Sequence, residues 1–174
     1  VYLSGDFSGG MDFDPGPGTN IVSSAPGYSS EMFVSKLNTA GIFQWVKSFD
    51  FIDARMSAIS VNPQTDEVFV ACSTYSSGYL DNSSNPYSYM LTRYGFGGFV
   101  NQMDESGNFK ALYPIIDPTG TGSGTPKTLY FDQFSNLFVS ATSQGQLDFD
   151  PSPQGVFMHD ATGAYLTKWH IQDK

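Results

Sequence analysis

The sequence has a single cysteine, Cys72, and charged residues make up only 14% of it. One cysteine excludes an internal disulfide, so packing, hydrogen bonds or bound ions must hold the fold together. No histidine or lysine stands near Cys72 in the sequence, as an activated thiol would require. We therefore predict that Cys72 is a small, buried strand residue and not a reactive nucleophile.

Basic residues are also scarce. Eight Lys and Arg stand against 17 Asp and Glu, which gives a net charge of −9 at pH 7. Such a charge repels nucleic-acid phosphates and anionic lipid headgroups, so no nucleic-acid partner is expected. The sequence contains no run of 18 apolar residues, and membrane insertion is therefore not expected.

Apolar and turn-forming residues dominate what is present. Hydrophobic residues make up 40% of the chain and aromatic residues 16%, which is enough to build a core. Gly, Pro, Ser, Thr and Asn separate short stretches of β-branched and aromatic residues. This pattern favours short strands joined by many turns over long helices, and the predicted fold class is all-β.

Similar segments recur about every 67 residues in the same order. The clearest marker is an aromatic residue at Tyr2, Phe69 and Phe138, with separations of 67 and 69 residues. A second segment reads FVSKLN, FVNQMD and YLTKWH in the three copies and recurs every 66 residues. Such periodicity predicts one supersecondary unit that is used several times, each copy too small to bury its own apolar face.

The middle copy is complete and predicts four strands, at residues 57–62, 67–74, 99–104 and 109–115. The connections NPQTD and DESGN between them are typical of hairpins. The middle copy therefore has the pattern of a four-stranded antiparallel meander.

Meanders that recur along a chain are typical of β-propeller blades. We interpret residues 1–50 as a partial blade that lacks its first strand, 51–117 as a complete blade, and 118–174 as a partial blade that lacks its last strand. The pattern thus predicts ten strands in about two and a half blades. Either the chain is a fragment of a larger propeller, which we favour, or copies complete one another's sheets by self-assembly.

The stretch YLSGDFSGGMDFDPGPGTN, followed by FVSKLNTAGIFQWVKSF, resembles the SBBP-type β-propeller repeats of large secreted and surface proteins of Bacteroidota and related bacteria. The resemblance covers most of the chain and is strongest over residues 1–49. It departs in the middle copy, where YLDNSSN replaces DFDPGPG. The resemblance implies an extracellular or cell-surface location, with export through a separate C-terminal type IX signal, and implies no particular reaction.

Acidic residues recur in the DFDP segments, where Asp12 and Asp14 are mirrored by Asp148 and Asp150, and Asp81 occupies the position of Asp14 in the middle copy. Residues i and i+2 of an extended segment point to the same side, so each pair would present two carboxylates suited to Ca²⁺. The alternative is that each Asp accepts backbone N–H groups and caps a turn. We favour turn capping, because the middle copy keeps one Asp without its partner.

Tyrosines are concentrated in residues 75–99, with Gly, Ser and Asn between them. Exposed tyrosines on loops bind sugars or protein partners, which makes Tyr79, Tyr87, Tyr89 and Tyr94 candidate ligand-binding residues. Aromatic residues also fill the space between blades, and that structural role is the favoured alternative. Trp45 and Trp169 are predicted to pack between copies.

No catalytic motif is present. The sequence has no G-x-S-x-G elbow, and its Gly-rich stretch TGTGSGTP lacks the Lys and the following helix of a P-loop. We therefore predict a non-catalytic extracellular propeller segment with a structural, adhesive or assembly role, whose partners are further blades or copies of itself. Alternatives are a glycan- or calcium-dependent binding module, with Ca²⁺ as the one possible cofactor, and a propeller enzyme acting on polysaccharide.

Overall fold

The computed structural model describes residues 1–24, 27, 30–51, 54–74, 78–79, 97–115, 123–148, 150, 158–160 and 162–171. These residues form fifteen β-strands and no helix, and every strand pairing is antiparallel. The predicted all-β class is confirmed. Within the described ranges, no helical segment is available that could cross a bilayer.

The strands form three main sheets, none of which closes on itself, and two short ribbons. The first sheet contains β1 (Tyr2–Phe7), β4 (Glu31–Leu37), β5 (Phe43–Phe51) and β8 (Gly78–Tyr79). The second contains β6 (Arg55–Val61), β7 (Val68–Thr74), β9 (Gly97–Met103) and β10 (Phe109–Ile115). The third contains β11 (Ser123–Phe131), β12 (Asn136–Gln144) and β15 (Gly163–His170). The ribbons pair β2 (Gly10–Asp12) with β3 (Ile21–Ser23), and β13 (Gln146–Asp148) with β14 (Met158–Asp160).

The second sheet contains the four segments predicted as strands in the middle copy. Its order is β6, β7, β9, β10, and the observed bounds lie within two residues of the predicted ones. All ten predicted strands are present in the three sheets. Five further short strands were not predicted, and one of them, β8, leaves the middle copy to pair with β5 of the first sheet.

The first and second sheets pack face to face around a cluster that we call the first core. Alternate residues of β7, namely Val68, Val70 and Cys72, point into it from the second sheet. The first sheet contributes the buried side chains of Met32, Val34 and Phe49, while Trp45 packs against the rim. Burial raises the pKa of the Cys72 thiol, and the nearby charge of Asp6 adds to the shift. Cys72 is thus the buried strand residue that the sequence predicts.

The second and third sheets pack around the second core. The other residues of β7, Phe69 and Ala71, point into it and meet Leu137, Val139 and Trp169 of the third sheet. All seven residues of β7 are therefore buried. This explains why VFVACST has no polar alternation, since a strand covered on both faces has no solvent side. Both tryptophans pack between copies, as predicted.

One hairpin in each of the three main sheets has a turn of the same type. In the turn of residues 104–108, Asp104 Oδ1 accepts the N–H groups of Ser106 and Asn108, each at 2.9 Å. Gly107 has a φ of 80°, a left-handed conformation that costs glycine little. Asn38 and Asp132 hold the equivalent turns of the other sheets through the same contacts.

The ionised carboxylate of Asp104 makes the free energy of unfolding depend on pH. Burial alone would raise the pKa of Asp104, but hydrogen bonds from Asn108 and Ser106 and the charge of Lys47 bring it below its usual value. A carboxyl with a lowered folded-state pKa stabilises the fold above its unfolded pKa of about 3.9, and this contribution is lost as the pH falls through the folded pKa. Asp104→Asn keeps one acceptor oxygen but loses the bond from Asn108 Nδ2 to Asp104 Oδ2.

We therefore expect Asp104→Asn to be less stable than the unmodified protein at pH 7, and the difference to shrink below about pH 4. Urea unfolding at a series of pH values measures this difference in the free energy of unfolding. The reciprocal change Asn38→Asp, in the equivalent turn, is the control and should steepen the acid dependence. A difference that stays constant from neutral to acid pH would contradict this account of the turn.

A buried asparagine lies in the centre of β9. Asn101 is 1% exposed, and neither its Oδ1 nor its Nδ2 has a hydrogen-bond partner among the described residues. Its cross-strand neighbours are Val70 and Leu112, which are apolar. An unpaired buried polar group destabilises a fold by about 1–3 kcal/mol.

Replacing Asn101 with valine should therefore raise the free energy of unfolding by about 1–3 kcal/mol. Valine also suits the strand conformation. Chemical denaturation measures the change, and Asn101→Asp, which places a carboxyl at the same point, should have the opposite effect. Destabilisation by valine would mean that the amide has a bonded partner in solution.

Candidate functional site

The first DFDP segment ends a ribbon and begins the loop of residues 13–20. Asp12 Oδ1 accepts the N–H groups of Asp14 at 3.0 Å and of Asn20 at 2.8 Å, and Asp14 Oδ1 accepts that of Gly16 at 2.8 Å. Hydrogen bonds from Asn20 and then Asp14 lower the pKa of Asp12. Both carboxylates therefore act as turn caps, which is the favoured alternative from the sequence.

Aromatic packing fixes this ribbon to the first sheet. Phe13 is buried, with its ring 5.3 Å from that of Phe7 and 4.7 Å from that of Phe33. The Phe of this DFDP segment therefore lies in the protein interior. Two aspartates thus flank a buried ring, and the loop between β2 and β3 is held at both ends.

Glycines let the loop fold closely around Asp14. A Cβ atom added to Gly18 would lie 2.2 Å from Asp14 Oδ2, and one added to Gly16 would lie 3.0 Å from Oδ1. No side chain fits at Gly18 without moving the carboxylate. The two glycines of the PGPG sequence are therefore explained by the space that the Asp14 side chain occupies.

The second DFDP segment repeats part of this arrangement. Asp148 ends β13, and its Oδ1 accepts the N–H of Asp150 at 3.0 Å. Asp81, the middle-copy candidate, lies outside the described residues. No group of three or more His, Cys, Asp or Glu side chains that could hold a metal ion occurs in the described part of the chain.

The predicted tyrosine platform falls almost wholly outside the described residues. Tyr87, Tyr89 and Tyr94 are not described, and Tyr79 lies in β8, where its backbone pairs with that of Asp50. The structure therefore does not test whether the four tyrosines form one surface.

The two histidines lie in different strands of the chain. His159 lies in β14, and His170, in β15, has its Nδ1 3.4 Å from Asn136 Oδ1.

A buried polar network at the edge of the second core was missed by sequence reasoning. Glu67 is 6% exposed and binds both Lys110 Nζ and Gln102 Nε2, the latter at 2.8 Å. Tyr113 donates its hydroxyl to Gln102 Oε1 at 2.6 Å. Burial, with a smaller contribution from the charge of Glu67, raises the pKa of Tyr113 to about 12, so the hydroxyl remains a donor at neutral pH. Glu67 directly precedes β7, Gln102 lies in β9, and Lys110 and Tyr113 lie in β10, so no local motif marks the network.

Polar side chains of one sheet also bind the turn of the next. Lys36 Nζ and Trp45 Nε1 of the first sheet both donate to the Glu105 carbonyl oxygen of the second, at 3.0 and 3.2 Å. Between the second and third sheets, Gln64 Nε2 donates to the Gln133 carbonyl oxygen at 3.2 Å. The sheets are therefore fixed in register by main-chain contacts as well as by apolar packing.

Comparison with known proteins does not identify a family for this chain. No family model, no curated protein and no solved structure matches this chain.

Proposed function

We propose that this chain is a non-catalytic segment of an extracellular β-propeller, which acts as a structural, adhesive or assembly module of a secreted or surface-exposed bacterial protein. The observation that carries the proposal is the face-to-face stacking of three sheets that derive from successive copies of one sequence unit. Blades of a propeller stack in this way. The resemblance of the sequence to SBBP-type repeats supports the same proposal.

The proposed division into blades is the one that the sequence predicts. Residues 1–50, 51–117 and 118–174 correspond to the first partial blade, the complete blade and the second partial blade. Strand β6, at the edge of the second sheet, contacts both β1 and β11, as inner strands of adjacent blades would. In this arrangement the partners are further blades of the same polypeptide or other copies of the chain.

The contacts of the polar residues are consistent with a scaffold. Asp12, Asp14 and Asp104 accept main-chain N–H groups of their own loops, and Lys36 binds a turn of the neighbouring sheet. Burial of apolar area at about 25 cal/mol per Å² makes the two cores the main source of stability. The module would thus present rigid turns and ribbons to a partner.

The natural polypeptide provides the test. We expect protease treatment of intact producing cells, or fractionation of their medium, to find the protein outside the cell. Electron micrographs of the native protein should show ring-shaped projections, completed either by further blades of the same polypeptide or by other copies of the chain. A protein that stays protected inside intact cells, or that shows no ring, would contradict the proposal.

Calcium- or glycan-dependent binding and polysaccharide hydrolysis remain alternatives. Saturating Ca²⁺ should raise the melting temperature if the DFDP segments bind it, and Asp14→Asn should then remove the effect. Hydrolysis of a surface polysaccharide by the full-length protein, lost on replacing channel carboxylates, would favour the enzyme.

A further inference from the structure

The outer face of the third sheet exposes apolar side chains at positions that are buried elsewhere in the chain. Leu166 is 69% exposed and Tyr130 is 64% exposed, and the Tyr130 ring lies 6.3 Å from that of Phe138. In the repeat, Phe138 corresponds to Phe69 and Leu166 to Val100, and both counterparts are fully buried in the second core. The outer face of the third sheet therefore exposes the equivalents of the residues with which the second sheet packs against the third.

The outer face of the first sheet has the complementary property. Leu3 is 48% exposed, whereas its repeat counterparts, Val70 and Val139, are fully buried in the first and second cores. Phe33 shares this face and corresponds to the fully buried Phe99. Each end of the stack thus exposes one half of an interface that the chain has already formed twice.

In the repeat, the outer face of the third sheet is equivalent to the inner face of the first sheet, which packs on the second sheet. Each of these two faces has a lysine over an aromatic ring. Lys36 Nζ is 5.2 Å from the centre of the Tyr2 ring, and Lys168 Nζ is 5.8 Å from that of Phe138, at the equivalent position of the repeat. Lys36 also donates to the carbonyl oxygen of Glu105 in the turn of the adjacent sheet. The equivalent of Glu105 in the first copy is Thr39, in the turn of residues 38–42.

We propose that the outer face of the third sheet binds the outer face of the first sheet of a second copy of this chain, head to tail. The contact repeats the packing of the first sheet on the second, with Leu166 and Phe138 against Leu3 and Phe33 of the second copy. Lys168 donates to the Thr39 carbonyl oxygen of the second copy. The proposal rests on the assembly role proposed above, and the second copy is the occupant because one chain carries both halves of the interface. Such a heterologous contact forms rings or filaments.

Two charge substitutions test this directly by sedimentation of the chain at increasing concentration. Leu166→Asp blocks the third-sheet face, and Leu3→Asp blocks the first-sheet face. We expect the unmodified chain to associate, each variant alone to remain monomeric, and an equimolar mixture of the two to form a one-to-one dimer. Lys168→Ala should weaken association by at least about tenfold.

Thr65→Asp is the control, because Thr65 is exposed in the turn between β6 and β7 of the second sheet, which the other two sheets cover on both faces. It should associate like the unmodified chain. If Leu166→Asp fails to fold, Tyr130→Asp blocks the same face. A chain that stays monomeric up to about 1 mM overturns the inference, and so does a mixture of the two variants that does not dimerise. Either outcome leaves the test of an extracellular location unaffected. A chain that self-associates but occurs only inside cells would support this inference and contradict the proposed function.

Discussion

Phe69→Ala should lower the free energy of unfolding by about 3–5 kcal/mol, the largest effect that we expect from one substitution in this chain. Phe69 is fully buried in the second core, where its ring meets that of Phe131 edge-on at 4.9 Å and stacks on Tyr113 at 6.4 Å. Alanine would leave a cavity between two sheets whose backbones are held by hydrogen bonds, so the cavity cannot close fully. Urea unfolding, followed by circular dichroism, measures the change.

The repeat provides a control of the same residue type. Phe138 occupies the equivalent position of the third copy, but its side chain lies on the outer face and is only partly buried. Phe138→Ala should cost about 1 kcal/mol at protein concentrations low enough to prevent association. Equal losses for the two variants would contradict the stacking of the second sheet on the third.

Gly98→Ala should produce the next largest loss, about 3 kcal/mol. Strand β9 passes β11 so closely that a Cβ atom on Gly98 would lie 2.3 Å from Pro126 Cδ and 2.5 Å from the Gly124 carbonyl oxygen. A carbonyl oxygen and a proline ring cannot rotate away, so the two sheets must separate. Thermal unfolding of the variant measures the cost.

Gly10→Ala is the matched control. Gly10 lies in β2, and the nearest atoms to an added Cβ are 3.6 Å away, which is ordinary van der Waals contact. Its stability should change by less than about 0.5 kcal/mol. The repeat equivalents of Gly98 are Met32 and Ala164, so a side chain is compatible with this strand position. Tolerance of alanine at Gly98 would show that β9 and β11 do not approach as described.

Period and alternation predict the three main sheets because each of their strands except β8 is six to nine residues long and has a counterpart elsewhere in the chain. Apolar runs such as VFVACST and the turn DESGN are local signals, and both identify their structures correctly. The ribbons escape prediction because strands of three residues carry too few side chains to show a period. The pairing of β8 with β5 depends on tertiary contacts that no local pattern records.

The candidate site, too, could be predicted from the sequence only where the signal is local. The sequence left two roles open for Asp12 and Asp14, because carboxylates two residues apart can share a cation or accept N–H groups of their own loop. The structure brings the N–H groups of Asn20 and Gly16 to within hydrogen-bond distance of these two carboxylates, which a linear pattern cannot specify. The sequence does not reveal the Glu67 network for a related reason, since its residues become neighbours only when β9 pairs with both β7 and β10.

Strand β7 is shared by both cores, and this couples their dynamics. Its side chains alternate between the two, so neither core can open without exposing one side of the same strand. The backbone amides of β7 should therefore exchange their hydrogens with solvent only through global unfolding, while the edges of the first and third sheets exchange through smaller local openings. We therefore expect the three copies to unfold in a single cooperative transition and not one repeat at a time.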